Sequence, residues 1–200
     1  MFKDYTISVI SDTHGVIDNK IVQNIIGSDV IIHAGDIMST KILEELNNYS
    51  ENVVAVAGNN DFPERYESKK DKEIISKLKK VEHLRVADDL VTVEHGDRFG
   101  NHPSHIELRA EYPQSKLIIY GHTHYQVCDK TETPWVINPG AAGRTRNNDG
   151  GPCFMKIDGE QIIDNANDIM PGEAFFSFGS EPRKSKQTLE KNKKYLIEII

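Results

Sequence analysis

Apolar, β-branched runs and helically spaced stretches alternate through the first third of the chain. Tyr5–Ile10 reads as a strand, Asn19–Ile26 carries Ile21, Val22, Ile25 and Ile26 at helical spacing, and Val30–His33 is again a run of buried-strand type. Lys41–Leu46 reads as a second helix and Val53–Ala57 as a third strand. A β-α-β-α-β order predicts a right-handed parallel sheet. Leu90–Glu94, Leu117–Tyr120, Trp135–Ile137, Cys153–Ile157 and Gln161–Asp164 are further strands, several joined by connections too short for a crossover helix and therefore expected to pair antiparallel. Residues 63–82 are rich in Lys, Glu and Asp with Ile74, Ile75 and Leu78 at helical spacing, which predicts a solvated amphipathic helix holding His83 at its exit on the surface. The fold class that follows is α/β, with two packed mixed sheets and helices outside.

The 200 residues suit one domain, placed at residues 1–165, because nothing in that stretch has linker composition. Beyond about Asn165 the texture changes to Pro171-Gly172, the apolar Phe175-Phe176-Ser177-Phe178, a basic polar stretch and a closing apolar Tyr195–Ile200. Residues 166–200 are therefore expected to form an extension that packs on the domain or on a partner. A formal net charge of −7 argues against broad nucleic-acid binding, so a phosphate-bearing substrate has to be attracted locally. No stretch approaches the ~18 apolar residues that span a bilayer, and no basic start leads into an apolar segment. The expected address is cytoplasmic, with no membrane partner. Cys128 and Cys153 lack metal-like spacing and are expected to be reduced thiols.

The candidate chemistry lies in turns. Asp12, His14, Asp36, Asn59, His95, His122 and His124 all fall at predicted strand ends or immediately after them, and in open α/β sheets such positions converge on one crevice. Asp12 and His14 are two apart, as are His122 and His124, a spacing that in an extended turn puts both side chains on one side and suits chelation. Imidazoles, carboxylates and an amide carbonyl without thiolates suit a divalent Mn²⁺, Fe²⁺, Ni²⁺, Co²⁺ or Zn²⁺ rather than a structural zinc. Gly15, Gly35, Gly58, Gly96 and Gly121 each adjoin a candidate ligand, where a turn leaving a sheet needs unusual backbone angles or a close approach. Two cations about 3.5–4 Å apart share a carboxylate and a hydroxide and bring the pKa of that water towards neutrality. No protein nucleophile is then required, in keeping with the absence of a G-x-S-x-G elbow.

The ordered set Asp12-x-His14, Gly35-Asp36, Gly58-Asn59-Asn60-Asp61, His95-Gly96 and Gly121-His122-Thr123-His124, followed by Asn138-Pro139-Gly140-Ala141, resembles the calcineurin-like metallophosphoesterase superfamily over about residues 5–165, and within it the small prokaryotic YfcE-type phosphodiesterases. The resemblance implies a four-layer αββα sandwich and two divalent metals, Mn²⁺ first among them. It places Asp12, His14 and His124 on the first metal, Asn59, His95 and His122 on the second, and Asp36 between both. Many members carry a leaving-group-protonating His where this chain has Asn60, whose amide is no acid, and Asp97 stands where relatives often have another His. Asn60 is nevertheless counted with the catalytic and substrate-contacting positions, and Asp61 is expected to orient a neighbouring ligand. His102 and His105, in the loop after Gly96, are candidates for the missing acid or for substrate contact, and Arg144 or Arg146 for a phosphate clamp. His33 reads as a hydrogen-bonded core residue.

The expected function is hydrolysis of a small or nucleotide-like phosphodiester by a hydroxide shared between two metals. A phosphomonoesterase is one alternative. The other is a binding or scaffold module, as in the retromer subunit of similar fold. Oligomeric state is left open, a homo-oligomer included.

Overall fold

In the computed structural model, residues 2–86, 89–143, 152–159, 161–165 and 197–199 are described. Two sheets stack face to face. The first has the order β10-β9-β1-β2-β3, built from β1 (Phe2–Ile10), β2 (Val30–His33), β3 (Val53–Ala55), β9 (Phe154–Gly159) and β10 (Gln161–Asn165). Its β1, β2 and β3 run parallel, joined by α1 (Asn19–Ile25) and α2 (Thr40–Tyr49), while β9 and β10 are antiparallel. The second sheet has the order β11-β4-β5-β6-β8-β7, from β4 (Val81–Val86), β5 (Asp89–Glu94), β6 (Leu117–Ile119), β7 (Gln126–Asp129), β8 (Trp135–Pro139) and β11 (Ile197–Ile199). Here β5, β6 and β8 are parallel and the other pairings antiparallel.

Alternation along each strand decides which layer a side chain enters. Ile7, Val9, Val30, Ile32, Leu84, Val91, Val93, Leu117 and Ile119 fill the space between the sheets. Ile10 and Ile31 point the other way, against Ile21, Ile25, Ile42 and Leu46 of α1 and α2. On the far side Ile118, Tyr120 and Val136 pack on Leu108 of α4 (His105–Glu111). Three buried interfaces separate four layers, and the architecture is the αββα sandwich.

The predicted helix over 63–82 is broken in three: a 3-10 turn at Pro63–Arg65, α3 (Lys69–Ser76) capped by Ser68, and the start of β4. His83 is accordingly a strand residue, half-buried, with Nδ1 2.9 Å from the Thr92 hydroxyl on β5. The predicted third strand is shorter, ending at Ala55, and β7 and α4 were not expected. Both cysteines are thiols, Cys128 exposed and Cys153 buried. Of the tail, β11 pairs antiparallel with β4, and residues 166–196 lie outside the described residues.

Candidate metal centre

The parallel registers bring the strand ends level. Ile10, His33 and Ala55 are neighbours across the first sheet, as are Val93, Ile119 and Ile137 across the second. The chain therefore leaves both sheets at one end, and its turns bond to each other. Asp12 N–H donates to Gly35 O (2.9 Å), His14 N–H to Asp36 O (3.0 Å) and Gly121 N–H to His95 O (3.0 Å). Bonds also cross between the sheets, among them His95 Nδ1–H to Ala34 O (2.8 Å) and His122 N–H to Asp12 Oδ2 (3.0 Å).

Around this seam the candidate ligands meet. Asp12 is fully buried, and its Oδ2 accepts from Ser11 Oγ at 2.6 Å. Its Oδ1 has no hydrogen-bond partner of good geometry, yet three imidazole Nε2 atoms face it: His124 at 3.3 Å, His95 at 3.9 Å and His14 at 4.0 Å. His14 Nε2 lies 3.1 Å from His124 Nε2, while His14 Nδ1 is held 2.9 Å from Met38 Sδ. His95 Nε2 lies 3.4 Å from Asp36 Oδ1 and 3.1 Å from Asn59 Oδ1, and the rings of His95 and His122 meet edge to face at 5.2 Å. Because Nδ1 of His95 is committed to the Ala34 carbonyl, its Nε2 is the nitrogen left for the pocket.

The arrangement divides in two. Asp12, His14 and His124 form one cluster, and Asp12, Asp36 and His95 another, with the Asn59 carbonyl and the His122 ring beside the second. His122 and His124 thus face different clusters, one on each side, where their spacing alone suggested joint chelation. The reason is the backbone. Asp12, His14, Asp36, Met38, His122 and His124 all have positive φ, between 47° and 67°, rather than the extended turn that the spacing suggested. Left-handed non-glycine residues carry strain that the surroundings must hold, and such residues gather at functional sites. Glycine serves a different need here: a Cβ on Gly58 would run into Asp36, and one on Gly121 into Ser11 and Asp12.

Electrostatics match the geometry. Burial disfavours charge on Asp36, but bonds from His95 and from the Asn60 side chain and backbone outweigh it and hold the carboxyl well below its usual range. Burial likewise opposes protonation of His95, yet the bond to Asp36 and the charges of Asp12 and Asp36 push it up to about 9. His124 is raised by its contact with Asp12, while His122 is lowered by burial. The pocket demands positive charge at its centre. A divalent cation fits that demand: Asp12 Oδ1 is a buried, unpartnered acceptor, and two nitrogens sharing an ion at bond lengths of about 2.1 Å would stand about 3.0–3.4 Å apart, as His14 and His124 do.

Of the other expected positions, Asn60 and Asp61 adjoin this centre. Asn60 donates its backbone N–H to Asp36 Oδ1 (2.9 Å) and its Nδ2–H to Asp36 Oδ2 (2.7 Å), so it clamps the carboxylate. Asp61 is buried and accepts three backbone N–H groups, from Ile37 (3.0 Å), Met38 (2.8 Å) and Gly58 (3.0 Å). It fixes two loops that carry candidate ligands rather than any one of their side chains. His33 is buried, with Nε2 2.9 Å from Thr13 Oγ1, and burial lowers it to about 4. His102 is exposed. His105 heads α4 and is bound to Asp129 (2.6 Å), away from the pocket. Arg144 and Arg146 lie outside the described residues.

Four supporting residues were given no role from the sequence: Ser11, Met38, Arg65, whose Nη1–H reaches Asn60 Oδ1 at 3.4 Å, and Asn138. Asn138 Nδ2–H donates to Gly121 O (2.6 Å) and Thr123 Oγ1 (3.1 Å), pinning the loop that carries His122 and His124. Its Asn-Pro-Gly context was a visible signal, whereas the other three are recognisable only by what they touch.

Comparison with known proteins gives a consistent picture. The sequence model described as the calcineurin-like phosphoesterase superfamily domain matches residues 6–160. A phosphodiesterase of Methanocaldococcus jannaschii is 33% identical over 143 residues, covering 67% of this chain and 82% of that protein. A probable metallophosphoesterase of Mycoplasma genitalium is 29% identical over 164 residues, 78% of this chain and 90% of that one. Among solved structures, an archaeal phosphodiesterase superposes with a TM-score of 0.60 at 28% identity, covering 80% and 99% of the two chains. Vacuolar Protein Sorting 29 of Cryptosporidium parvum gives 0.65 at 17% identity over 85% and 95%, a likeness of fold.

Proposed function

The chain belongs to the calcineurin-like phosphoesterase superfamily, and from that premise we propose that it is a metal-dependent phosphodiesterase working at the seam between the two sheets. Asp12, His14 and His124 would hold one divalent ion, Asn59, His95 and His122 a second, and Asp36 both. The observation that carries this reading is Asp12 Oδ1, buried and unpartnered with three imidazole nitrogens within 4.0 Å. Manganese is the ion proposed, with Ni²⁺, Co²⁺, Fe²⁺ or Zn²⁺ compatible with the donors. When bound, such ions supply charge for the phosphate oxygens and acidify a water for attack.

The chain's own residues do the rest. The His95 bond to Ala34 O keeps its Nε2 aimed inward, and the Asn60 clamp holds Asp36 ionised and fixed. Asn60 cannot protonate a leaving group, so the site suits esters whose alcohol departs without an acid. A small phosphodiester is the proposed substrate and the cytoplasm its proposed setting; no helix among the described residues is long and apolar enough to cross a membrane. Residues 166–200 are proposed as an extension held to the domain through β11.

The test is turnover of bis(4-nitrophenyl) phosphate by the manganese-loaded protein beside Asp36→Asn. The reading expects hydrolysis by the wild type and a loss of about 100-fold or more in the variant. No turnover, with the two proteins alike, removes it.

A further inference from the structure

Beside the clamp on Asp36 the surface turns aromatic and cationic. Phe62 directly follows Asp61 and is 44% exposed. Contacts tie it to the pocket. The Arg65 guanidinium carbon lies 6.0 Å from the centre of the Phe62 ring, and Arg65 Nη1–H reaches Asn60 Oδ1 at 3.4 Å. Asn60 in turn bonds Asp36 at 2.7 Å. Phe62 and Arg65 are fixed relative to one another by the 3-10 turn Pro63–Arg65, whose Arg65 N–H donates to Phe62 O at 3.1 Å. Tyr125, another ring exposed on the surface, directly follows His124.

We infer that Phe62 and Arg65 form a binding platform for a flat aromatic group attached to the phosphate, and so set which esters the pocket accepts. The inference rests on the phosphodiesterase reading for the phosphate's place in the pocket. A planar ring stacks on Phe62 without displacing a buried group, since the ring is already in water. Arg65 offers both a stacking plane and donors to an ester oxygen or a ring acceptor. Stacking tolerates many rings, because each presents a π-face, and this gives a chemical class: nucleoside or aryl phosphates over those of simple sugars or alkyl alcohols. Asn60 is the hinge of the arrangement, holding Asp36 with its amide nitrogen and Arg65 with its amide oxygen.

The experiment is calorimetric titration of the manganese-loaded chain with adenosine 5′-monophosphate, phenyl phosphate and ribose 5-phosphate, on wild type, Phe62→Ala, Phe62→Tyr and Ile106→Ala. The last replaces an exposed residue of α4 outside the platform. The expected result is affinity at least about fivefold higher for one or both ring-bearing ligands than for ribose 5-phosphate. That preference is lost in Phe62→Ala and kept in Phe62→Tyr and Ile106→Ala. If only the adenosine ligand is preferred the platform takes a nucleobase; if both are, any flat ring. Equal affinities for all three, no measurable binding of any, or a preference that survives Phe62→Ala overturns the inference. Hydrolysis of the diester with no ring preference would leave the phosphodiesterase reading standing alone, and ring preference without hydrolysis would leave the platform alone.

Discussion

At the scale of the residue, the centre depends on side chains that never face its middle. Asp61 is the clearest case, since one carboxylate satisfies three backbone donors from two loops. Asp61→Ala strands those donors, and urea unfolding should show a loss of about 3 kcal/mol together with manganese affinity weakened about 10–100-fold. Gly58→Ala acts more locally, because its Cβ collides with Asp36. The expected result is a folded chain, by circular dichroism, that no longer gains thermal stability from manganese. The candidate ligands were legible as residue types beside strand ends. What the spacing could not show is that Asp12, His14, Asp36, His122 and His124 sit in left-handed backbone, which separates His122 from His124, or that the Asn60 amide is turned towards Asp36. Both are set by contacts between loops some 24 to 110 residues apart.

Elements were legible where apolar periodicity was strong and buried on both faces, as in β1, β2 and β6. The misses have physical causes. In β4 only Leu84 and Val86 are buried, and Glu82, His83 and Arg85 interrupt them, so the strand read as the end of a charged helix. Helix α4 buries Leu108 alone and leaves Ile106 exposed, and the edge strand β7 buries nothing, so neither leaves a periodic trace. These weak elements are held instead by a polar knot: Asp129 of β7 binds His105 Nδ1 at 2.6 Å and Arg109 Nη2 at 2.8 Å, both from α4. Bonds from Thr131 first, then His105 and Arg109, hold the Asp129 carboxyl well below its usual range. A carboxyl depressed in the folded state stabilises fully above its ordinary pKa and loses that contribution as pH falls through the folded value. Wild type should therefore lose stability faster than Asp129→Asn as pH drops from about 5 to 2, while at pH 7 the variant unfolds about 1 kcal/mol more easily. Identical slopes in acid would contradict this role.

For the whole molecule, two facts pull against each other. The chain carries a formal charge of −7, yet its candidate chemistry concerns an anion and its pocket gathers two buried carboxylates. Under the proposed function, bound cations would resolve the conflict by offsetting the carboxylates and attracting the phosphate. Binding to the folded chain alone adds stability by mass action, about 2.7 kcal/mol per site at a hundredfold excess over Kd. For a chain of this size that is a rise in Tm of about 5–10 °C per site, reversed by a chelator and absent in Asp12→Asn. The sandwich as a whole was legible from the order of strands and helices; the seam where its two sheets exchange hydrogen bonds through Ala34 and Asp12 was not, because that depends on how the sheets stack.

The claim at the centre of this account is that the seam holds a pair of divalent ions. Anomalous diffraction from a crystal grown in manganese tests it most directly. The account predicts two peaks flanking Asp36, one beside Asp12, His14 and His124 and one beside Asn59, His95 and His122; a single peak, or none among these side chains, would contradict it.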